Sequence, residues 1–169
     1  IDGAIYRAKG ELVCADPLTG RVHWSRRDFS GVEELSTDRG VISLRMPRRS
    51  PDNPANEFVL LQAIDGRELG QRTLPPEWKV WWRQGSQVLC ERSTGTSHEL
   101  FLHDLLETRE VWSETFGEPI RAIHVDADRS FWVLRDSGRL AAYSSMASGQ
   151  RLREVSVPIL PGTDRLWVQ

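Results

Sequence analysis

The sequence predicts an all-β chain built as a β-propeller of four-stranded antiparallel blades, and three observations predict it. The first is a repeat: a short hairpin turn carries Gly20, Gly66, Thr108 and Gly149 in register, at intervals of 46, 42 and 41 residues, a period that fits a propeller blade. The second is strand texture: apolar, β-branched runs of about five to seven residues alternate with turn signals every 8–12 residues or so. The third is the lack of any sustained 3.6-residue stripe, which disfavours helical solenoids of similar period. About four blades are present, either closing on themselves or forming part of a larger propeller of roughly seven or eight blades.

The elements follow in order. Four units span residues 1–31, 32–76, 77–118 and 119–160, and residues 161–169 read as the first strand of a split or following blade. In the first unit, residues 4–8 read as a second strand, so its first strand is missing, and the segment from Leu12 to Trp24 supplies the third and fourth. The second unit has strands at 32–37, 41–46, 57–63 and 67–74, with a polar, proline-studded loop at 47–56. The third has strands at 78–83, 87–92, 99–104 and 109–114, with a loop at 93–97. The fourth has them at 120–125, 131–135, 139–143 and 151–157. Thr19-Gly20, Asp65-Gly66 and Ser148-Gly149 place glycine where a tight turn needs positive φ. Thr108 breaks that pattern, so the third turn is expected to be strained or built differently.

Composition narrows the function. Twenty-two basic and 24 acidic residues leave a net charge of −2, which gives no basic surplus to attract nucleic acid or anionic lipid. The longest apolar runs, such as Phe58 to Leu61, are strand-sized and far short of the ~20 residues of a membrane span. Cys14 and Cys90 lie in different repeats inside apolar stretches and are expected to be buried free thiols. The chain opens at Ile1 without a leader pattern, so a processed or trimmed start is expected and the compartment stays open. Seven tryptophans are many for 169 residues; because most fall in repeat strands, packing is their expected first role.

At the turn a family resemblance emerges. Cys14-x-Asp16-x-x-Thr19-Gly20-Arg21-x-x-Trp24 resembles the tryptophan-docking motif of quinoprotein-type propellers, Ala-x-Asp-x-x-Thr-Gly-Lys-x-x-Trp, with Cys for Ala and Arg for Lys. Leu102-x-Asp104-x-x-Glu107-Thr108-Arg109-x-x-Trp112 is a weaker copy. The second unit has Gly70 where tryptophan is expected, and the fourth keeps Ser148-Gly149 without the tryptophan. The resemblance implies that Asp16, Thr19, Gly20, Trp24, Asp104 and Trp112 are docking residues between blades. The family holds pyrroloquinoline-quinone dehydrogenases with a calcium site, a catalytic aspartate and often a vicinal disulfide, as well as non-enzymatic scaffolds. This chain has no adjacent cysteines, and no family cofactor ligand maps onto it, so the resemblance carries the fold and not the redox chemistry.

Searching for chemistry gives no catalytic, metal or cofactor residues. His23, His98, His103 and His124 lack metal-ligand spacing and read as ordinary strand histidines. Asp126-Ala127-Asp128 lacks the spaced oxygens and glycine of a calcium loop. Two features suggest partner contact instead. Arg48 and Arg49 lie in the loop at 47–56, whose three prolines lower its entropy. Trp81, Trp82 and Arg83 form an aromatic-basic run on a first strand, the composition of an interface anchor; alternation predicts that one tryptophan packs inward and the other is more open. The function expected is a non-catalytic propeller scaffold contacting another protein or other domains of a larger parent chain, without nucleic acid, membrane insertion or cofactor. The alternatives are a fragment of a quinone-dependent dehydrogenase and a small-ligand or carbohydrate-binding propeller.

Overall fold

The computed structural model describes residues 3–29, 31–47, 56–159 and 166. The expected strand at 161–169 except Leu166, with Trp167 among the rest, and Arg48 and Arg49 therefore lie outside the described residues. Every regular element described is a β-strand. They are β1 (Ala4–Ala8), β2 (Glu11–Ala15), β3 (Val22–Arg26), β4 (Glu34–Asp38), β5 (Val41–Arg45), β6 (Asn56–Gln62), β7 (Glu68–Leu74), β8 (Lys79–Gln84), β9 (Gln87–Thr94), β10 (Ser97–Asp104), β11 (Arg109–Phe116), β12 (Ile120–Val125), β13 (Phe131–Arg135), β14 (Arg139–Tyr143) and β15 (Arg151–Ser156). They form one three-stranded sheet, β1-β2-β3, and three four-stranded sheets, β4-β5-β6-β7, β8-β9-β10-β11 and β12-β13-β14-β15. Each is an antiparallel meander in chain order, the architecture of propeller blades.

The residues explain which strands lie inside. The middle strands are near-continuous apolar runs, and β5, β6, β9, β10, β13 and β14 are largely buried, as strands covered on both faces must be. Outer strands mix charge with apolar residues and stay half-exposed; β15 is exposed along its whole length. β1 is mostly exposed as well, unlike the second strands of the other sheets, in keeping with a first sheet one strand short.

The chain divides into two units, residues 1–76 with 83–86, and 77–82 with 87–169. In the first, Leu12, Val32, Ile42, Leu44 and Leu61 form the core. Residues 83–86 join it: Arg83 donates to Glu34 at 2.8 Å, and Ser36 Oγ accepts from the Gly85 amide at 3.2 Å. In the second, Leu89, Leu100, Leu102, Phe131, Val133 and Tyr143 form the core.

One expected loop is absent. β9 runs on to Thr94 and β10 starts at Ser97, so 93–97 is a hairpin around Gly95 and not a loop. Glycine at φ +62° closes the two-residue turn and lets Ser93 and Thr94 pair across the ladder.

A β-bulge recurs in all four sheets. The register between third and fourth strands shifts just before the turn, at Cys14/Ala15, Leu60/Leu61, Leu102/His103 and Ala142/Tyr143. A bulge redirects the side chains beside it. Here Trp24, Gly70, Trp112 and Arg153 stand at the equivalent position, opposite Cys14, Leu60, Leu102 and Ala142.

Candidate functional site

The repeated turn is built first from its own polar atoms. Asp16 Oδ1 accepts from the amides of Leu18 (2.8 Å) and Thr19 (3.0 Å), and Asp104 Oδ1 does the same for Leu106 (2.8 Å) and Glu107 (3.1 Å). These bonds, Thr19 first, hold the Asp16 carboxyl below the usual carboxylate range. Thr19, Asp65 and Ser148 each accept from the amide two residues on. The fourth turn replaces aspartate by Ser145, whose Oγ takes the Ser148 amide at 3.3 Å. Gly20, Gly66 and Gly149 have φ of +71°, +70° and +59°, and Thr108 matches them at +55°. The third turn thus keeps the conformation and bears the strain of a β-branched residue in it.

Onto two of these turns a tryptophan docks. In the first unit, Trp24 Nε1 donates to the Ala63 carbonyl at 2.9 Å, and its ring lies on Gly66, where an added Cβ would come within 2.8 Å of Cε3. In the second, Trp112 Nε1 donates to the Met146 carbonyl at 2.6 Å and its ring lies on Gly149. The acceptor carbonyl is three residues before the glycine each time. Trp112 also stacks on Phe131 (5.6 Å between centroids), which stacks on Tyr143 at 4.4 Å.

β8 carries the second candidate. Trp81 Nε1 donates to Glu91 Oε2 at 2.9 Å, while Lys79 Nζ sits 3.5 Å from the Trp81 ring centroid. Glu91 is only 6% exposed, so its carboxylate needs these partners. Its other oxygen faces His98 Nδ1 at 2.9 Å, and Ser93 Oγ lies 3.0 Å from the same nitrogen. A serine, a histidine and a buried carboxylate invite comparison with a hydrolytic triad. In a triad, however, the imidazole uses one nitrogen for the nucleophile and the other for the acid. Here both contacts fall on Nδ1, so the cluster fixes Trp81 and has no relay geometry.

Trp81 and Trp82 are both half-buried and both pack against the second unit's core, so neither is the open one that alternation predicts. Arg83 belongs to the first unit, where burial pushes its guanidinium below its ordinary value against the pull of Glu34. Lys79, Glu91 and Ser93 belong to no motif in the sequence, and His98 reads there as an ordinary strand histidine. Their one signal was Glu91, a charge ending the apolar run Val88-Leu89-Cys90.

The remaining candidates hold structure. Cys14 and Cys90 are free and buried, and burial pushes the Cys90 thiol up to about 12, so neither is a thiolate near neutral pH. His103 is buried with its ring edge-on to Trp78, and desolvation lowers its pKa against the pull of Glu110 and Asp104. Asp126 and Asp128 bind Ser130, and Asp126 also receives the Trp132 indole at 3.2 Å and faces His124. Among the described residues no three His, Cys, Asp or Glu side chains gather in a metal-holding group, and no helix is long and apolar enough to cross a membrane. A cleft of about 390 Å³ in the first unit, which the sequence did not signal, is lined by Asp28, Phe29, Glu57, Phe58, Glu68 and Arg72 among others.

No protein-family model and no curated protein sequence matches the chain. Solved structures do. Hsv2 of Kluyvelomyces marxianus aligns with a TM-score of 0.51 at 7% identity, over 93% of this chain and 48% of its own. BamB from Moraxella catarrhalis aligns with a TM-score of 0.44 at 16% identity, over 91% of this chain and 48% of its own. The Dos1 propeller aligns with a TM-score of 0.45 at 10% identity, over 92% and 44%. The chain thus spans about half or less of the length of each. Identities this low speak to fold alone.

Proposed function

We propose that this chain is a non-catalytic β-propeller scaffold of the quinoprotein-like repeat type that binds a protein partner, with the surface of β8 as its contact. The observation that carries the reading is the state of Trp81: half-buried, its indole N–H held by buried Glu91 and Lys79 lying over its face. An aromatic fixed in place and rimmed by charge loses little entropy on binding, which is the character of an interface anchor. The docking motif around Trp24 supports the quinoprotein-like repeat.

The test is affinity capture from an extract of the source cells with wild-type chain, a Lys79→Glu/Trp81→Ala variant and an Arg109→Glu control, all checked for equal melting temperature. Proteins captured by wild type and control but lost with the double variant are the expected result. Identical captured sets would remove β8 from the reading. Dye reduction by the chain supplied with pyrroloquinoline quinone and calcium would overturn its non-catalytic part.

A further inference from the structure

The cations of the second unit are matched almost throughout. Arg92, Arg109, Arg121, Arg135, Arg139 and Arg151 each face a carboxylate. Lys79 and Arg153 lie over indoles instead, Arg153 at 5.1 Å from the Trp132 ring centroid and Lys79 Nζ at 3.5 Å from that of Trp81. Lys79 is the more closely held of the two. It is exposed, and among the described residues its ammonium makes no ion pair and no hydrogen bond.

The neighbouring side chains fix where that charge stands. Lys79 and Trp81 alternate onto one face of β8. Glu91 takes the Trp81 N–H at 2.9 Å, which sets the plane of the ring. Its other oxygen faces His98 Nδ1 at 2.9 Å, so both oxygens are occupied inside the sheet and neither reaches the ammonium. A negative charge at the indole nitrogen strengthens the pull of the ring face on a cation. Glu77, just before the strand, is exposed and makes no ion pair with Lys79. An ammonium carries three N–H donors, and none of these three is taken by an oxygen of the described residues. The result is a cation held in place, open to solvent, with its donors unclaimed.

We infer that Lys79 reads the charge of whatever docks on β8, and that the partner is a polypeptide presenting an aspartate or glutamate side chain whose carboxylate accepts from Nζ beside the Trp81 ring. The inference rests on the β8 reading above and adds the chemistry of the partner. Charge complementarity selects a carboxylate, the counter-ion that the other cations of this unit already use. A net charge of −2 gives a nucleic acid or an anionic membrane no broader basic surface to grip. Because Lys79 and Trp81 are already placed, little ordering is left to oppose the contact.

The test is an NMR titration of the whole isotope-labelled chain with a short acetylated and amidated peptide of alternating glutamate and leucine, and with its glutamine counterpart. The glutamate peptide should give saturable shifts of the Trp81 indole N–H and the Lys79 amide, fading as salt is raised. The glutamine peptide should bind about fivefold more weakly, as should the glutamate peptide to a Lys79→Gln chain of unchanged melting temperature. Lys79→Arg should restore the binding. Equal binding of the two peptides at Trp81 would overturn the inference and leave β8 a protein contact, which separates its failure from that of the β8 reading. Affinity capture separates them again: proteins lost with Trp81→Ala but kept with Lys79→Gln would overturn only the acidic partner. Inorganic phosphate shifting the same resonances as strongly as the peptide would overturn the inference too, as would shifts confined to other strands or no shift at all.

Discussion

The two units solve one problem with different reserves. Each joins two sheets through a tryptophan set on the glycine of the next turn. Trp24 relies on that glycine and one hydrogen bond to Ala63. Trp112 has the same two contacts and also caps the stack through Phe131 to Tyr143. The donor turns differ in the opposite sense: Gly20 takes its positive φ freely, while Thr108 takes it at a cost. The docking contact is what the two units share, and the surrounding core and the turn residue vary around it.

Substitution should separate the two. Trp112→Ala should cost about 4 kcal/mol, since it empties a partly buried aromatic site and ends a stack. Trp24→Ala should cost about 3 kcal/mol, having no stack to lose. Chemical denaturation of both variants checks the order; equal losses would mean that the stack adds nothing. Next come the glycines. Gly149→Ala and Gly66→Ala should each cost about 2–3 kcal/mol from overpacking against the ring and left-handed strain together. Gly20→Ala should cost only about 1 kcal/mol, because strain acts there without a collision.

A smaller effect distinguishes the second unit by pH. His103 is buried there and its pKa is depressed by desolvation, so the neutral ring is the form the fold favours. The stability this lends is complete above the ordinary histidine value of about 6.5 and is lost as pH falls below it toward the depressed value. Stability measured from pH 7.5 to 5.5 should fall in wild type and flatten in His103→Gln. The smallest effect is a gain: Thr108→Gly should stabilise by about 0.5 kcal/mol, as relief of strain outweighs the added freedom of the unfolded chain. A loss would mean that the threonine makes contacts worth more than its strain.

Much of the fold was legible because its signals are local. Glycine and aspartate mark the turns, and the runs at 120–125, 131–135 and 139–143 are strands with those same limits. The 93–97 segment misled because Ser, Thr and Gly cluster both in loops and in tight hairpins, and only pairing with the facing strand decides between them. The docking tryptophans were visible through their motif, but the surfaces that receive them were not. Ala63 and Met146 act through backbone carbonyls, which leave no trace in side-chain identity. The Glu91 cluster was hidden for another reason. Glu91 and His98 are seven residues apart on paired strands, a proximity that follows from register and not from any motif. Arg48 and Arg49, prominent in the sequence, lie outside the described residues.

The docked pair of tryptophan and glycine joins the sheets within each unit, and a double-mutant cycle on Trp24 and Gly66 tests that contact most directly. If the indole lies on Gly66, Gly66→Ala should cost about 2–3 kcal/mol in wild type but only about 1 kcal/mol, the left-handed strain alone, in the Trp24→Ala background. Equal costs in the two backgrounds would mean that Gly66 does not carry the tryptophan.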